Sequence, residues 1–389
     1  MATTALMNTY GERQLTLVKG EGVYLWDEQG RRYLDALSGI AVCGLGHSPK
    51  ALTAAISEQA GTLLHISNLY NTQPSQRLAE LLCAQTGMEN VFFSNSGAEA
   101  NEAAIKIARK YGNDQGIACP TIITMHNSFH GRTLATLTAT GNQKVKAGFA
   151  PLVDGFIHVD YDDIDAIKAV DNPNVVAILV EPIQGEGGVR VPADDYLAQL
   201  RTLCDERGWL LMLDEIQTGN GRTGKLYAFQ HTDILPDVFT TAKGLGNGLP
   251  IGACLARGKA AQVFQPGNHG STYGGNPLVC HGAYTVIRTL IDDRLIENAD
   301  TMGTYLRNAL TQALAQYDKV RNIRGKGLMM GIELAQPCPE LVGLAADAGL
   351  LINVTAGNVI RLLPPLVITE AEADQIVAII SQLIGNLAD

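Results

Sequence analysis

The sequence predicts an α/β fold: a large domain with a mostly parallel sheet flanked by helices, and a smaller α+β domain. Two observations lead to this prediction. Short apolar runs alternate with helical patterns from about residue 48 to about residue 280, and several runs are apolar throughout, as strands covered on both faces are. Polar and glycine-rich residues follow five of these runs, where ligands collect in an open α/β sheet.

The composition indicates a chain with a substantial buried core. Hydrophobic residues make up 46% of the 389 residues and charged residues 17%, which suits one large domain and a smaller one. The net charge of −10 argues against a nucleic-acid or anionic-membrane partner. The seven cysteines include no CxxC and the eight histidines no HExxH, so neither a disulfide scaffold nor a metal site is expected.

The first residues show no sign of a targeting segment. The start, MATTALMNTYGERQ, lacks the apolar core of a secretory signal, and no run of about 18 apolar residues could span a bilayer. Together with the cysteine pattern, this predicts a cytoplasmic protein.

The elements of the fold follow one another along the chain. VYLWDEQGRRYLDA predicts a hairpin with its turn at Gln29-Gly30, and residues 1–47 are expected to pack with the small domain. In the large domain, residues 48–280, strands are predicted at NVFFSN, TIITM, GFIHV, VVAILVEP, WLLMLDE, DVFTTAK and IGACLA. Two long helices, strands in VRNIRGKGLMMGIELA and NVIRLLPPL, and a closing helix from Thr369 predict the small domain, residues 281–389.

The segment FFSNSGAEANEAAIKIARKY is typical of a strand, a tight turn and a helix. Ser96 lies where an N-cap belongs, and Glu99, three residues later, completes a capping box. The free amides of Gly97 and Ala98 at the helix start could hold a phosphate. A capped helix without a ligand explains the same residues, so this motif alone does not establish a phosphate site.

Two segments could hold a planar, charged ring. In WLLMLDE, Asp214 follows an apolar strand, where its carboxylate needs a cationic partner unless it caps the next segment. Gln217 could reach the same ligand. In NSFHGRT, Phe129 and His130 precede Arg132, which suggests a ring stacked on Phe129 and an acid group held by the guanidinium. The alternative is a core phenylalanine beside a surface arginine.

Three further charged residues accompany apolar or glycine-rich segments. VEPIQGEGG places Glu186 in a loop able to approach a ligand, and NVIRLLPPL places Arg361 at the end of an apolar strand. A structural salt bridge could account for either residue. In VFTTAKGLGNG, Lys243 enters a glycine-rich loop, where its amine could be a nucleophile or lie in solvent. Together, the candidate residues are those needed to hold a phosphorylated pyridine aldehyde as a Schiff base on Lys243.

These motifs resemble those of the class III (subgroup II) pyridoxal-phosphate aminotransferases, and within that class most resemble the acetylornithine aminotransferases. The resemblance covers nearly the whole chain through SNLYNT, FFSNSGAEANEAAIKIARKY, FHGRT, EPIQGEGGV, LDEIQTGNGRTGKLYAFQH, KGLGNGLPIGA and STYGGNPL. It implies pyridoxal-phosphate fold type I, pyridoxal 5′-phosphate as cofactor, and a homodimer with shared active sites. Small amino acids and 2-oxo acids are the implied partners, with no nucleic acid and no membrane.

The resemblance also implies roles for the residues around the cofactor. Lys243 would form the Schiff base and act as general base, and Asp214 would pair with the pyridine nitrogen. Gln217 would lie near the ring hydroxyl, and Thr272 would reach the phosphate of the neighbouring subunit. The cofactor-binding residues would be Gly97, Ala98, Phe129, His130, Asp214, Gln217, Lys243 and Thr272.

The implied reaction moves the δ-amino group of N2-acetylornithine to 2-oxoglutarate, giving N-acetylglutamate 5-semialdehyde and glutamate, a step of arginine biosynthesis. Arg361 would bind the α-carboxylate of glutamate, and Glu186 would screen that arginine while the basic substrate is bound. Arg132 would bind a substrate carboxylate, and Ser271, which lies beside Thr272, would also bind the substrate. Ile40 stands where ornithine aminotransferases carry a tyrosine that helps hold free ornithine, which favours an acylated amine.

Several alternatives share the cofactor or the fold. They are an ornithine or 4-aminobutyrate aminotransferase, a succinylornithine transaminase, and a glutamate-1-semialdehyde aminomutase, which would not need Arg361 screened by Glu186. N-succinyl-diaminopimelate could be a further substrate. A dehydrogenase would need a GxGxxG motif with an acidic residue about twenty positions later, and a binding protein would be expected to lack Lys243 or Asp214. Cys43 replaces the asparagine of the family pattern, which is expected to alter packing near the cofactor entrance.

Overall fold

The computed structural model describes residues 5–10 and 15–387. The other residues of the predicted N-terminal segment, 1–4 and 11–14, lie outside the described part. The strands are β1 (Leu17–Glu21), β2 (Tyr24–Asp27), β3 (Arg32–Asp35), β4 (Asn90–Ser94), β5 (Thr121–Met125), β6 (Phe156–Val159), β7 (Val175–Val180), β8 (Leu210–Asp214), β9 (Val238–Thr241), β10 (Gly252–Ala256), β11 (Val320–Lys326), β12 (Met329–Leu334), β13 (Leu350–Leu351), β14 (Asn353–Thr355) and β15 (Val359–Leu362).

Helices cover the sheets and connect most of the strands. They are α1 (Ser38–Ala41), α2 (Lys50–Thr62), α3 (Gln73–Thr86), α4 (Gly97–Asp114), α5 (Leu134–Ala139), α6 (Gln143–Lys146), α7 (Ile164–Lys168), α8 (Tyr196–Arg207), α9 (Gly258–Ala261), α10 (Pro277–Asp292), α11 (Leu295–Leu314), α12 (Leu341–Asp347) and α13 (Glu370–Asn386). Across the described residues, none of these helices combines the length and apolar character needed to cross a membrane.

The largest sheet has the strand order β4-β10-β9-β8-β7-β5-β6. All seven strands predicted for the large domain are present, and the prediction of a mostly parallel sheet is confirmed. Only β10 runs in the opposite direction, pairing antiparallel with both β4 and β9. Its reversal follows from its connection, because residues 242–251 contain one short 3₁₀ turn and a parallel return needs a longer crossover.

Both faces of this sheet are buried. Along β8, Leu211 and Leu213 belong to one apolar cluster, whereas Leu210 and Met212 belong to another. Successive side chains of a strand point to opposite faces, so the two clusters lie on opposite sides of the sheet. The uninterrupted apolar runs of the sequence are explained by this double burial.

There are two smaller sheets, and the first of them joins the beginning of the chain to its end. The first has the order β1-β2-β3-β13, and the second is antiparallel with the order β11-β12-β15-β14. The predicted hairpin is present as β2 and β3, and β3 pairs in parallel with β13 through Leu34 and Leu350. Helix α10 runs across residue 280, where a domain boundary is predicted. The division into domains stays a prediction.

Candidate active site

The carboxyl ends of β4, β8 and β9 open on one cavity of about 390 Å³. The loop from β9 into β10 closes another side of it through residues 248–251. Nine of the residues singled out in the sequence line this cavity: Gly97, Ala98, Phe129, His130, Arg132, Glu186, Asp214, Gln217 and Lys243. Residues from five loops, those after β4, β5, β7, β8 and β9, are thus brought together at one edge of the sheet, as the strand-end rule predicts.

Lys243 lies two residues after the end of β9 and has a positive φ of 45°. A residue with a side chain rarely adopts this conformation unless its surroundings hold it there. Asn220 supplies part of that support, because its Nδ2 donates to the carbonyl of Ala242 at 3.1 Å and to Oγ1 of Thr241 at 3.0 Å. Burial lowers the pKa of Lys243 to about 8, and the carboxylate of Glu186 opposes that shift. The side chain therefore presents an amine that is partly neutral near neutral pH.

The lowered pKa makes the reactivity of Lys243 depend on pH. Because only the neutral amine attacks an aldehyde, we expect the reaction of Lys243 with added pyridoxal phosphate to accelerate with rising pH and level off above about 8. In Glu186→Gln the midpoint should move lower, since the lost carboxylate stabilises the ammonium form. Stopped-flow absorbance measures the rate, with the exposed Glu58→Gln as control. A midpoint near the ordinary lysine value of 10.5 would contradict this prediction.

Asp214 is held in a fixed orientation at the end of β8. Its Oδ2 accepts hydrogen bonds from Nδ1 of His130 at 2.8 Å and from Nδ2 of Asn101 at 2.7 Å, and its Oδ1 accepts from the amide of Ile216 at 3.1 Å. Asn101 is fixed in turn by Oγ1 of Thr240, which donates to it at 2.7 Å. A carboxylate so oriented and only 4% exposed is suited to hold a cationic ring nitrogen.

Asn101 and Glu181 were missed in the sequence. Asn101 lies on the buried face of α4 among alanines, and a fully buried amide in such surroundings is the signal that could have revealed it. Glu181 lies in the quoted motif EPIQGEGG and lines the cavity. It accepts from the amides of Phe129 at 2.9 Å and Gly185 at 3.2 Å, and burial raises its pKa to about 7. Glu181 thus joins two loops of the site.

The start of α4 faces the cavity with its first amides. Ser96 caps the helix by accepting from the amide of Glu99 at 3.2 Å, as predicted. The carboxylate of Glu99 accepts from the amide of Asn95 at 2.9 Å, one residue earlier than in a standard capping box. A side chain at Gly97 would come within 2.7 Å of Ile216, so glycine allows the turn to approach that residue. The helix dipole and free amides make this end a suitable phosphate site.

Arg361 lies behind the cavity with its side chain fully buried. Its Nη1 donates to Oε1 of Glu186 at 2.6 Å and to Oε1 of Gln217 at 3.3 Å, and its Nε donates to Oδ1 of Asn353 at 3.1 Å. Burial of Glu186 acts to raise the pKa of its carboxyl, but the Arg361 guanidinium outweighs burial and lowers that pKa below its ordinary value. Among the described residues, Nη2 of Arg361 has no hydrogen-bond partner. One donor of the guanidinium is therefore left for an anionic ligand.

Besides Arg361, three predicted residues do not line this cavity. Ser271 and Thr272 line a neighbouring pocket with the loop around Asn68, whose Nδ2 donates to the carbonyl of Ser271 at 2.9 Å. Ile40 belongs to α1 (Ser38–Ala41), which is a left-handed turn because all four of its residues have positive φ, and this residue is 36% exposed. Such a run of left-handed residues is unusual for residues other than glycine.

Known proteins are similar to this chain over nearly its whole length. The family model "Aminotransferase class-III" matches residues 7–384. The acetylornithine aminotransferase of Nitrosomonas europaea is 57% identical over 97% of both chains, and acetylornithine aminotransferase 1 of Bordetella bronchiseptica is 53% identical over 98% of both.

Solved structures of aminotransferases are also similar to this chain. The acetylornithine aminotransferase of Elizabethkingia anophelis is 37% identical and superposes with a TM-score of 0.89 over 98% of this chain and 96% of that chain. The ornithine aminotransferase of Toxoplasma gondii ME49 is 35% identical, with a TM-score of 0.93 over 97% and 91%. The expected fold type I is thereby confirmed. The chain belongs to the class-III aminotransferase family and is a pyridoxal-phosphate-dependent transaminase.

Proposed function

We propose that this chain transfers the δ-amino group of N2-acetylornithine to 2-oxoglutarate and produces N-acetylglutamate 5-semialdehyde and glutamate. The observation that carries the proposal is the Arg361–Glu186 ion pair at 2.6 Å, whose Glu186 lines the same cavity as Lys243. A reversible screen on an arginine suits an enzyme that must accept both an acylated basic amino acid and a dicarboxylate. The names of the most similar curated relatives support the acetylated substrate, and the corresponding role would lie in arginine biosynthesis.

The residues present fit pyridoxal 5′-phosphate as the cofactor. The amides of Gly97 and Ala98 would hold its phosphate, Phe129 would stack on its ring, and Asp214 would pair with its ring nitrogen. When bound, the cofactor would supply an electron sink for the carbon that loses a proton. Lys243, whose pKa is lowered to about 8, is suited to take that proton at Nζ and return it.

The two substrates would use different cationic residues. Arg132 is exposed, lines the cavity, and has its guanidinium 5.6 Å from the ring centre of Phe129, so it can bind a carboxylate of either substrate. While acetylornithine is bound, Glu186 would stay on Arg361 and cancel its charge. When glutamate or 2-oxoglutarate binds, Glu186 would move away and Arg361 would bind the α-carboxylate.

We further propose a homodimer in which Thr272, with Ser271 beside it, completes the phosphate site of the partner. Thr272 lies outside the cavity of its own chain. Leu69 is 84% exposed, and the rings of Tyr70 and Tyr273 are also exposed; large apolar side chains of this kind are typical of an interface. Light scattering of the purified protein tests this proposal, because a homodimer should have twice the mass of one chain.

A cytoplasmic location is supported by the seven cysteines, all of which are free thiols.

The choice of substrate is tested with single half-reactions. The purified holoenzyme is mixed with N2-acetylornithine, ornithine, 4-aminobutyrate, N2-succinylornithine or N-succinyl-diaminopimelate, without a 2-oxo acid, and the cofactor absorbance is followed. We expect kcat/KM for N2-acetylornithine to exceed that for ornithine at least about tenfold. Faster reaction of free ornithine would overturn the proposal in favour of an ornithine aminotransferase.

Ile40 provides a point mutation for the same question. In Ile40→Tyr, the added hydroxyl is expected to shift the ratio of kcat/KM for ornithine over acetylornithine upward by about tenfold, because it offers a partner for the free α-amine. Ile40→Leu keeps an apolar side chain and should leave the ratio unchanged. The two variants are compared in the half-reaction assay. An equal ratio in both would show that Ile40 does not discriminate between the substrates.

A further inference from the structure

The loop that carries Glu186 lies across one row of residues in the sheet β11-β12-β15-β14. In the strand register, Arg324 of β11 is opposite Gly331 of β12, and Gly331 is opposite Arg361 of β15. Residues directly opposite one another in antiparallel strands have their side chains on the same face. Two arginines therefore flank one glycine on the face that meets the loop.

Each arginine contacts a different part of the loop. Arg361 donates a hydrogen bond to the side chain of Glu186. Arg324 contacts only the backbone of the loop: its Nη2 donates to the carbonyl of Gly188 at 2.6 Å and its Nε to that of Val189 at 2.9 Å. The remaining donor of Arg324, Nη1, pairs with Oε2 of Glu333 at 2.5 Å. Because Glu333 neutralises it, the guanidinium is held in place without an anion from the loop.

The glycine between the two arginines lets the loop lie close to the sheet. A side chain at Gly331 would come within 2.9 Å of Cβ of Val189, and Val189 is fully buried with a φ of 49°. On the other side, Oγ1 of Thr355 donates to the carbonyl of Glu186 at 2.5 Å. The backbone of this loop is thus fixed at three points that do not involve the carboxylate of Glu186.

We propose that Arg324 is a positioning residue for substrate discrimination: it anchors the backbone of the loop 186–189 so that the carboxylate of Glu186 can leave Arg361 and return to it. The inference rests on the proposed function. The contact of Arg361 with the side chain of Glu186 must break when the dicarboxylate binds, whereas the contacts of Arg324 with the loop backbone must persist. Without Arg324 the loop would shift, and Glu186 would no longer cover Arg361 reliably.

The test removes the donors of Arg324 and keeps the length of its side chain. In the holoenzyme of Arg324→Met, half-reactions with N2-acetylornithine and with glutamate are measured separately. We expect KM for acetylornithine to rise, KM for glutamate to fall, and kcat to change little. The ratio of the two kcat/KM values should move toward glutamate by about tenfold, equivalent to about 1.4 kcal/mol. An unchanged ratio would overturn the proposal.

A purely structural role would produce a different result, because it would lower both half-reactions by the same factor. Arg321→Ala removes an exposed arginine from the same strand and should leave the ratio unchanged. If Arg324→Met does not fold, Arg324→Lys keeps the charge beside Glu333 but cannot bond two carbonyls in a fork, so a smaller shift in the same direction is expected.

A double mutant shows whether the effect passes through Glu186. If it does, adding Arg324→Met to Glu186→Gln should change the ratio no further, whereas independent residues would give multiplied effects and contradict the proposal. The unmodified enzyme is measured in the same series. If the proposed function is wrong, the unmodified enzyme will not turn over acetylornithine. If only the role of Arg324 is wrong, the unmodified enzyme will turn over acetylornithine and Arg324→Met will leave the ratio unchanged.

Discussion

Replacing Lys243 with alanine is expected to abolish transamination, lowering kcat by at least about 10⁴-fold, the upper range for loss of a general base. The variant loses the only lysine that lines the cavity within the described residues, and with it both the proposed covalent anchor for the cofactor and the group proposed to move the proton. Neither function can pass to a neighbour, because the other basic side chains that line the cavity are Arg132 and His130, and His130 is already bonded to Asp214.

The measurement is a full transamination assay together with mass analysis after borohydride treatment. In the unmodified holoenzyme the added cofactor mass should lie on the peptide that contains Lys243, and in Lys243→Ala no peptide should carry it. The exposed Lys225 provides a matched control, since Lys225→Ala should retain normal turnover. Cofactor mass on another lysine, or turnover in Lys243→Ala, would refute the assignment.

Replacing Asp214 with asparagine is expected to lower kcat by about 10³-fold, the range found when one preorganised electrostatic group is removed. An amide occupies the same space but carries no charge, so it cannot keep a ring nitrogen protonated. Its NH₂ group would also face the Nδ2 group of Asn101, which now donates to Oδ2 at 2.7 Å. Retention of the cofactor should weaken together with the rate.

The Asp214→Asn variant is assayed by single-turnover kinetics and by dialysis against buffer without cofactor. Asp233→Asn, at an exposed position, serves as the control for loss of one carboxylate. Thermal unfolding of the cofactor-free proteins separates loss of chemistry from loss of fold. A rate within about tenfold of the unmodified enzyme, less than the effect of one such group, would show that Asp214 does not control the ring charge.

Much of the site could be predicted because its residues lie next to elements with strong local signals. Asp214 and Lys243 each follow an apolar run, and the ends of β8 and β9 do meet in the sheet. The same holds for Gly97 and Ala98, which begin a helix whose N-cap residue, Ser96, can be recognised from the sequence. In these cases local periodicity and the rule for strand ends suffice to bring distant residues together.

Other features depend on pairings between distant segments that leave little local signal. The place of β10 between β4 and β9 depends on its pairing with the distant strand β4, and the short strands β13 and β14 form only against partners. The backbone contacts of Arg324 in VRNIRGKG require the register of three strands. The left-handed turn around Ile40 contradicts the preference of a β-branched residue, so propensity could not predict it.

The position of β10 has a consequence for synthesis of the chain on the ribosome. Strand β4 is at the edge of the large sheet, and its sheet partner is β10, through pairs such as Ser94 with Gly252. At about 5–20 residues per second, the roughly 160 residues between these partners take roughly ten to thirty seconds to make. For that time NVFFS is an apolar strand without its partner, open to wrong pairing with other nascent chains. Chaperone demand is therefore expected to be greatest before residue 256 emerges.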